Sequence, residues 1–294
     1  MAEAQRQSVW GSGEAYEPYV GRWSRLVARE FLHWLALAPS AHWLDVGCGT
    51  GALSQTILTY AAPAVVHGID PSEGYLTVAR HQVRDARVRF EPGDARQLPL
   101  ATATYDAVVS GLVLHFIPDV SAGLAVMVRV TKPGGTVAAY VWDYAGKMEL
   151  MRYFWDAAVA RKPEDGERDE GRRFPLCQPE PLKNLFTEAG LHDVEVRAID
   201  VSTHFQDFDD YWSPFLGGQF PAPDYAMSLS EEDRVALRER ILQAWEHLSN
   251  PDVYCIEMDT ERVQVTRTWV PPLAAAGTRK AINPILKLKK REGR

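Results

Sequence analysis

The stretch HWLDVGCGTG (residues 42–51) decides the fold of this 294-residue chain. Residues 42–46 are typical of a short buried strand, and the three alternate glycines that follow form a turn into a helix from Ala52. Glycines allow a sharp turn and a close ligand approach, because no Cβ atom stands in the way. A strand, a glycine-rich turn and a helix in this order predict a ligand site at the carboxyl end of a parallel strand.

Strands and helices alternate on both sides of this turn. Runs of β-branched and aromatic residues predict the strands, and apolar residues at helical spacing predict the helices. The predicted strands cover 42–46, 65–70, 88–91, 105–110, 136–142, 193–199 and 263–270, and the predicted helices 24–37, 52–58, 73–83, 119–130, 181–190 and 229–248. Such alternation forms parallel βαβ units, so we expect an open α/β sheet with helices on both faces.

Composition and charge narrow the class of partner. The net charge of −7 argues against nucleic acid, because phosphate binding needs a basic surface, and favours a small-molecule substrate. Cys48, Cys177 and Cys255 are scattered, which fits a reducing cytoplasm, and neither they nor the histidines have metal-ligand spacing. No run of 18 apolar residues occurs, so we expect no membrane span and a cytoplasmic location. The oligomeric state is not predicted.

The glycine turn fits two cofactors. Gly47, Gly49 and Ala52 satisfy the dinucleotide pattern G-x-G-x-x-G/A, and Asp70 follows at the distance of the acidic residue that holds a ribose. Asp45 and the alternate glycines also form the pattern D-x-G-x-G-x-G. The glycines alone do not decide between the two, although the chain has no Tyr-x-x-x-Lys segment for hydride transfer.

Further segments resemble those of class I S-adenosylmethionine (SAM)-dependent methyltransferases. Besides the turn at 45–51, they are IDPS (69–72), GDARQLP (93–99), YDAVVS (105–110) with LHFIPD (114–119), and KPGGT (132–136). The likeness covers roughly residues 40–142 and is to the subgroup with the ubiquinone and menaquinone methyltransferases. It implies a Rossmann-like open seven-stranded, mostly parallel sheet with helices on both faces and a small helical cap. It also implies SAM as cofactor and S-adenosylhomocysteine (SAH) as product.

The same resemblance implies a set of cofactor-binding residues. Asp70 would hold the ribose hydroxyls, and Asp94 with its neighbouring backbone would address the adenine. In an N-terminal lid, an arginine suits the methionine carboxylate and an aromatic face suits the sulfonium. The implied cofactor-binding residues are Tyr16, Arg22, Trp23, Asp45, Gly47, Gly49, Asp70, Pro71, Asp94, Ala95 and Ser110.

His115 is the candidate catalytic base. It follows the fourth strand, and its ordinary pKa near 6.5 suits proton transfer at neutral pH; a packing role is the alternative. A base is required only if the acceptor atom starts protonated. Two other functions therefore remain as alternatives: a SAM-binding protein without transferase activity, and an NAD(P)-dependent oxidoreductase.

The region after the fifth strand is expected to select the substrate. Its aromatic-rich segment at 205–225 predicts a pocket for a small, partly apolar or aromatic acceptor, with the acceptor atom (O, N or C) undetermined. The predicted units are an N-terminal helical lid (1–40), the SAM-binding core (41–145), a variable loop or insert (146–180), the rest of the sheet (181–205 and 260–272), a helical cap (206–259) and a basic C-terminal tail (273–294).

Overall fold

A computed structural model describes residues 19, 21–217, 220–246 and 256–269 of the chain. Tyr16 of the expected lid, Cys255 and the basic tail at 273–294 lie outside the described residues. Within the described ranges, no helix is long and apolar enough to cross a membrane.

A seven-stranded sheet forms the body of the protein, in the order β3-β2-β1-β4-β5-β7-β6. Strands β1 to β5 run parallel, and β7 is antiparallel to both of its neighbours. The strands are β1 His42–Val46, β2 Val65–Asp70, β3 Val88–Pro92, β4 Tyr105–Gly111, β5 Thr131–Trp142, β6 His192–Phe205 and β7 Ile256–Trp269. The mostly parallel seven-stranded sheet expected from the sequence is confirmed.

Helices flank this sheet. They are α1 Arg22–Leu35, α2 Ala52–Tyr60, α3 Glu73–Gln82, α4 Val120–Val130, α5 Glu149–Arg161, α6 Glu170–Arg173, α7 Pro179–Glu188, α8 Phe208–Trp212, α9 Pro221–Ser228 and α10 Glu231–Glu246. Four consecutive residues of β4, Ala107 to Ser110, are fully buried. A strand buried at every position is covered on both faces, so the centre of the sheet lies inside the core.

Local capping signals set the starts of two helices beside the sheet. The Ser72 hydroxyl accepts a hydrogen bond from the Tyr75 backbone N–H at 3.3 Å, and α3 begins at the next residue. The Asp119 carboxylate accepts from the Ala122 N–H at 2.9 Å and starts α4. These caps satisfy backbone donors that have no partner inside the helix. Both starts lie where the sequence predicts them.

The segment expected to be a variable loop, at 146–180, is instead folded into helices. Helix α5 occupies 149–161, and the residues after it are held by polar contacts to distant parts of the chain. The Tyr225 hydroxyl donates to Asp165 at 2.8 Å, and Arg161 pairs with Asp233 at 2.6 Å. Prolines, glycines and charges give this segment the local pattern of a loop, whereas the partners of those charges lie 60 and 72 residues away.

The later strands are longer than predicted. β5 begins at Thr131 rather than at residue 136, since Thr131 pairs with Tyr105 ahead of a register shift. β7 begins at Ile256, so the expected cap at 206–259 overlaps its first residues. Within the described part of that cap, α8, α9 and α10 supply the helices.

Candidate active site

A cavity of about 550 Å³ opens at the carboxyl ends of the parallel strands. Residues from the ends of β1, β2, β4 and β5 line it, together with parts of the segments that follow them. Because parallel strands end at the same edge of the sheet, residues far apart in sequence meet there. The glycine turn after β1 forms its floor.

The glycine turn is held against the neighbouring strand. The N–H groups of Gly47 and Cys48 both donate to the Ile69 carbonyl oxygen, at 2.7 and 3.0 Å. Gly47 and Gly49 have positive φ angles of +78° and +53°, which side chains rarely adopt. A Cβ atom on Gly47 would lie 2.4 Å from a Val113 methyl group, whereas one on Gly49 would meet no atom within 4 Å. Gly47 therefore allows Val113 to pack closely against the turn, and Gly49 leaves space open in the cavity.

Asp70 joins the end of β2 to this turn. One carboxylate oxygen accepts from the Gly49 N–H at 3.0 Å, and the other accepts from the Ser72 N–H at 2.8 Å. Burial raises the pKa of Asp70, and the two backbone donors oppose that rise. Each oxygen of a carboxylate can accept more than one hydrogen bond, so both can also accept from a ligand hydroxyl in the cavity.

Asp45, at the end of β1, is a buried carboxyl group at the cavity wall. Its Oδ2 accepts from the Ser54 hydroxyl at 2.7 Å. Its Oδ1 is buried without a hydrogen-bond partner among the described residues. Burial raises the pKa of Asp45 to about 7, and the nearby Asp70 charge adds to the rise. An unpartnered oxygen of this kind fits a ligand that donates a hydrogen bond, such as an ammonium group.

Asp45→Asn is expected to make the stability of the free protein less dependent on pH. The native pKa of about 7 lies above the unfolded value of 3.8, so the native state binds the proton more tightly. Stability from this carboxyl is therefore lost as pH rises from about 4 to about 7, at up to about 1.4 kcal/mol per pH unit. Urea unfolding at several pH values should show that the free energy of unfolding of the variant increases relative to that of the wild type over this range. If the free energies of unfolding of the two proteins changed in parallel with pH, the raised pKa of Asp45 would be contradicted.

Gly93, Asp94 and Ala95 line the wall beyond β3. The Asp94 carboxylate pairs with Arg96, whose Nη2 lies 2.6 Å from Oδ2, and this contact lowers the pKa of Asp94. Asp94 is thus a fixed acceptor at the same edge as Asp70. Together with Pro71, these residues lie where the sequence places them.

The structure does not bring Arg22 and Trp23 to the cavity wall. The Arg22 guanidinium pairs with Asp210 at 2.9 Å and lies 4.2 Å above the Trp23 ring and 4.8 Å from that of Phe205. Trp23 in turn packs against Phe205. The two side chains are engaged with one another, with Asp210 of the cap and with Phe205 at the end of β6, so the expected contacts with a methionine carboxylate and a sulfonium stay predictions.

Ser110 and His115 are also absent from the described residues that line the cavity. Successive strand residues point to opposite faces, and it is Gly111 rather than the fully buried Ser110 that reaches the wall. The His115 ring packs among Phe116, Tyr144 and Phe174. Burial lowers the pKa of His115 to about 3, so the expected base with a pKa near neutrality is not found there.

Sequence reasoning predicted only part of the aromatic wall: Phe220 lies in the aromatic-rich segment at 205–225 and Tyr19 in the expected lid, whereas the aromatic residues from the sheet edge were not expected there. Tyr19 stacks on Phe220, with ring centroids 5.6 Å apart, and donates its hydroxyl to the Met151 sulfur at 3.0 Å. The aromatic lining residues are Tyr19, Tyr75, Phe116, Tyr140, Trp142, Tyr144 and Phe220, with Met148 and Met151 beside them. Tyr140 and Trp142 alternate at the end of β5, a signal that the sequence does contain.

Glu170 is the other residue that the sequence did not indicate. It begins α6, is only 2% exposed, and lines the cavity. Its Oε2 accepts a hydrogen bond from the Trp155 indole N–H. Burial raises the pKa of Glu170 to about 8.

Comparisons with known proteins agree with this architecture. Residues 44–139 match the family described as methyltransferase domain. A demethylmenaquinone methyltransferase of Staphylococcus aureus is 32% identical over 168 residues, which cover 53% of this chain and 70% of that protein. Phosphoethanolamine N-methyltransferase 2 of Haemonchus contortus, solved with SAM, has a TM-score of 0.50 at 18% identity and covers 82% of this chain and 52% of its own. The [4+2]-cyclase SpnF has a TM-score of 0.51 at 18% identity, with coverages of 84% and 82%.

This architecture is that of an α/β protein that binds a nucleoside cofactor. The features that define it are the order of the strands, the glycine turn after β1 and the acidic residues at the strand ends. The chain belongs to the class I SAM-dependent methyltransferases, as its relationship to the demethylmenaquinone methyltransferase shows. It is an enzyme of that class, and SAM is its cofactor. This family membership decides for SAM over the dinucleotide, the other cofactor that the glycine pattern allowed.

The described residues fit SAM. The open space at Gly49 allows the cofactor to approach the backbone, and Asp70 offers two acceptor oxygens for ribose hydroxyls. The unpartnered Oδ1 of Asp45 suits the amino group of the methionine part. SAM supplies an activated methyl group on a sulfonium, so the protein has to supply orientation and electrostatics.

Proposed function

We propose that this methyltransferase acts on a small, neutral and partly apolar or aromatic acceptor. The supporting observation is the composition of the cavity wall beyond the glycine turn. In the sheet order, β5 lies three strands from β2, which is about 14 Å at the usual strand spacing. Asp70 therefore marks one half of the cavity, and Tyr140 and Trp142 mark the other. The aromatic half supports an acceptor with an apolar body.

The charges of the wall support a neutral acceptor. Its acidic residues are Asp45, Asp70, Asp94 and Glu170, and the described lining residues include no lysine, arginine or histidine. A phosphate or carboxylate on the acceptor would meet no cationic side chain among the described lining residues, and burying a charge without such a partner is costly. The name of the Staphylococcus aureus relative, which points to a quinone-type ring, agrees with an aromatic acceptor.

The protein groups of this site would act by binding and orientation. The strand ends would hold the cofactor, and the aromatic side chains would exclude water and stack against the acceptor. Holding the acceptor atom in line with the methyl group can account for roughly 7–11 kcal/mol of the barrier.

A turnover assay with a panel of acceptors tests this function. The purified protein is incubated with SAM and a reduced naphthoquinone, a substituted phenol, phosphoethanolamine or bulk tRNA, and SAH is quantified by mass spectrometry. We expect SAH to form with the aromatic acceptors and not with the other two. The Asp70→Asn variant measures background from contaminating enzymes. Turnover with tRNA or phosphoethanolamine alone would overturn the proposal.

A further inference from the structure

Glu170 is placed on the acceptor side of the cavity. Its neighbour Gly171 packs against residues that directly follow β5: a Cβ atom there would lie 3.0 Å from the Ala145 Cα and 3.1 Å from the Tyr144 carbonyl oxygen. The other acidic lining residues, Asp45, Asp70 and Asp94, belong to the cofactor side of the sheet edge. We therefore assign this buried carboxyl group to the acceptor side of the cavity.

We propose that Glu170 is the catalytic base, and that it takes the proton from a hydroxyl group of the acceptor. The proposal rests on the small-molecule function proposed above. It identifies the acceptor as a molecule that combines an apolar body with a hydroxyl group next to the methylated position or at it. Trp155 donates to one oxygen of this carboxyl group, and each carboxylate oxygen can accept more than one hydrogen bond, so Glu170 can also accept from an acceptor hydroxyl in the cavity.

The surroundings of Glu170 hold it in one position. Its Oε2 accepts from the indole N–H of the fully buried Trp155. The preceding Asp169 caps α6 through the Gly171 N–H at 2.8 Å and pairs with Arg152, whose Nη1 lies 3.1 Å from Oδ2. The base is thus fixed by contacts to α5, as a group must be if it is to meet a bound acceptor at hydrogen-bond distance.

The proton affinity of Glu170 suits this role. Burial raises its pKa to about 8, and the neighbouring Asp169 charge adds to the rise. The Glu170 backbone N–H, the Trp155 N–H and the Arg173 charge oppose the rise. A base is most effective when its pKa lies near the working pH. An ordinary glutamate, with a pKa near 4.3, would be a much weaker base.

The step balances in atoms and charge. The acceptor O–H bond breaks and its proton passes to the Glu170 carboxylate. For an O-methylation, the freed electron pair on oxygen forms the bond to the methyl carbon; the carbon–sulfur bond breaks, and its electron pair stays on sulfur. For methylation of the neighbouring carbon, the same pair is delocalised onto that carbon, which bonds to the methyl group and then loses its own proton to water. A carboxylate and a sulfonium are replaced by a neutral carboxylic acid and a neutral thioether, so two buried charges disappear together.

Glu170→Gln tests the proposal, with Glu167→Gln as the matched control. Glu167 lies three residues earlier in the same segment, has a side chain that is 90% exposed, and does not line the cavity. With the acceptor that the wild type turns over, we expect kcat to fall about 10²- to 10⁴-fold in Glu170→Gln. SAH affinity by calorimetry should stay close to wild type, and Tm should not fall, since removing a buried carboxyl with a raised pKa does not destabilise the fold near neutral pH. Glu167→Gln should match the wild type in all three.

Trp155→Phe is the second variant, and it separates positioning from structure. Loss of the indole N–H removes a contact that lowers the pKa of Glu170, so the rising limb of kcat against pH should move to higher pH. A purely structural Trp155 would lower kcat without moving the limb. Glu170→Gln activity within threefold of wild type, with an unchanged pH limb, would overturn the proposal.

A binding measurement gives a readout that needs no turnover. A base next to the acceptor atom lies close to the sulfonium, which lowers the pKa of Glu170. Calorimetry in two buffers should therefore show that SAM binding releases more protons than SAH binding, and that Glu170→Gln reduces this difference. An equal difference in the variant would overturn the role of Glu170. Failure of the wild type with every small acceptor, by contrast, would concern the proposed function.

Discussion

Replacing Asp70 with asparagine is expected to raise the dissociation constant for SAH at least about 100-fold. Both carboxylate oxygens already accept from backbone N–H groups, those of Gly49 and Ser72. An amide has one donor in place of an acceptor, so one of these N–H groups would face another donor, and the ribose hydroxyls would lose an acceptor. Each hydrogen bond to a charged group contributes about 1.5–3 kcal/mol, and 1.4 kcal/mol is tenfold in affinity.

The matched control for this variant is Asp85→Asn. Asp85 also accepts a hydrogen bond from the backbone N–H two residues later, Arg87, at 2.9 Å, and it does not line the cavity. Titration calorimetry with SAH should give the control a dissociation constant close to that of the wild type. Equal affinities for SAH in the two variants would contradict the assignment of Asp70 to the ribose.

Gly47→Ala is expected to destabilise the protein by about 2–5 kcal/mol. The left-handed backbone costs an alanine roughly 1–2 kcal/mol, and forcing a methyl group into a filled space costs roughly 1–3 kcal/mol more. The new Cβ would lie 2.4 and 2.8 Å from two atoms of the Val113 side chain, which is β-branched and cannot swing away easily. At roughly 2–4 °C per kcal/mol, we expect Tm to fall by about 10 °C.

Gly134→Ala provides the comparison for this loss. Gly134 has the same φ of +78°, but a Cβ atom there would meet nothing within 4 Å. This variant should therefore show only the backbone cost, and the difference between the two free energies of unfolding isolates the contact with Val113. Calorimetric or urea unfolding of both variants measures it. Equal destabilisation would show that the turn after β1 is less tightly packed than the structure indicates.

The cofactor half of the site could be predicted because its residues lie at strand ends. Asp45, Asp70 and Asp94 each follow or end a predicted strand, and parallel strands bring their carboxyl ends to one edge whatever lies between them. Gly47 and Gly49 follow from the same logic, since the turn needs residues without a Cβ atom. Local pattern predicted these residues at one edge of the sheet, and the family resemblance implied SAM as the cofactor there.

The acceptor half needed the tertiary structure. The expected lid needed it as well: Arg22 was predicted to bind a carboxylate of the cofactor, yet Asp210, 188 residues further along the chain, pairs with it. Glu170 lay in a stretch with the composition of a loop, yet Trp155 donates to it and the residues after β5 pack against the next residue, Gly171. His115 had the chemistry of a base, yet aromatic rings from three segments remove it from water and lower its pKa.

The sequence by itself therefore determined the parallel sheet, the glycine turn and the acidic residues at the carboxyl edge of the strands, because periodicity, caps and strand ends are local properties. Only the tertiary structure decided which side chains reach the cavity beyond β5 and which protonation states they have. Burial and pairing depend on residues that approach from other parts of the chain, and the proton affinity of Glu170 changes with the water that those residues exclude.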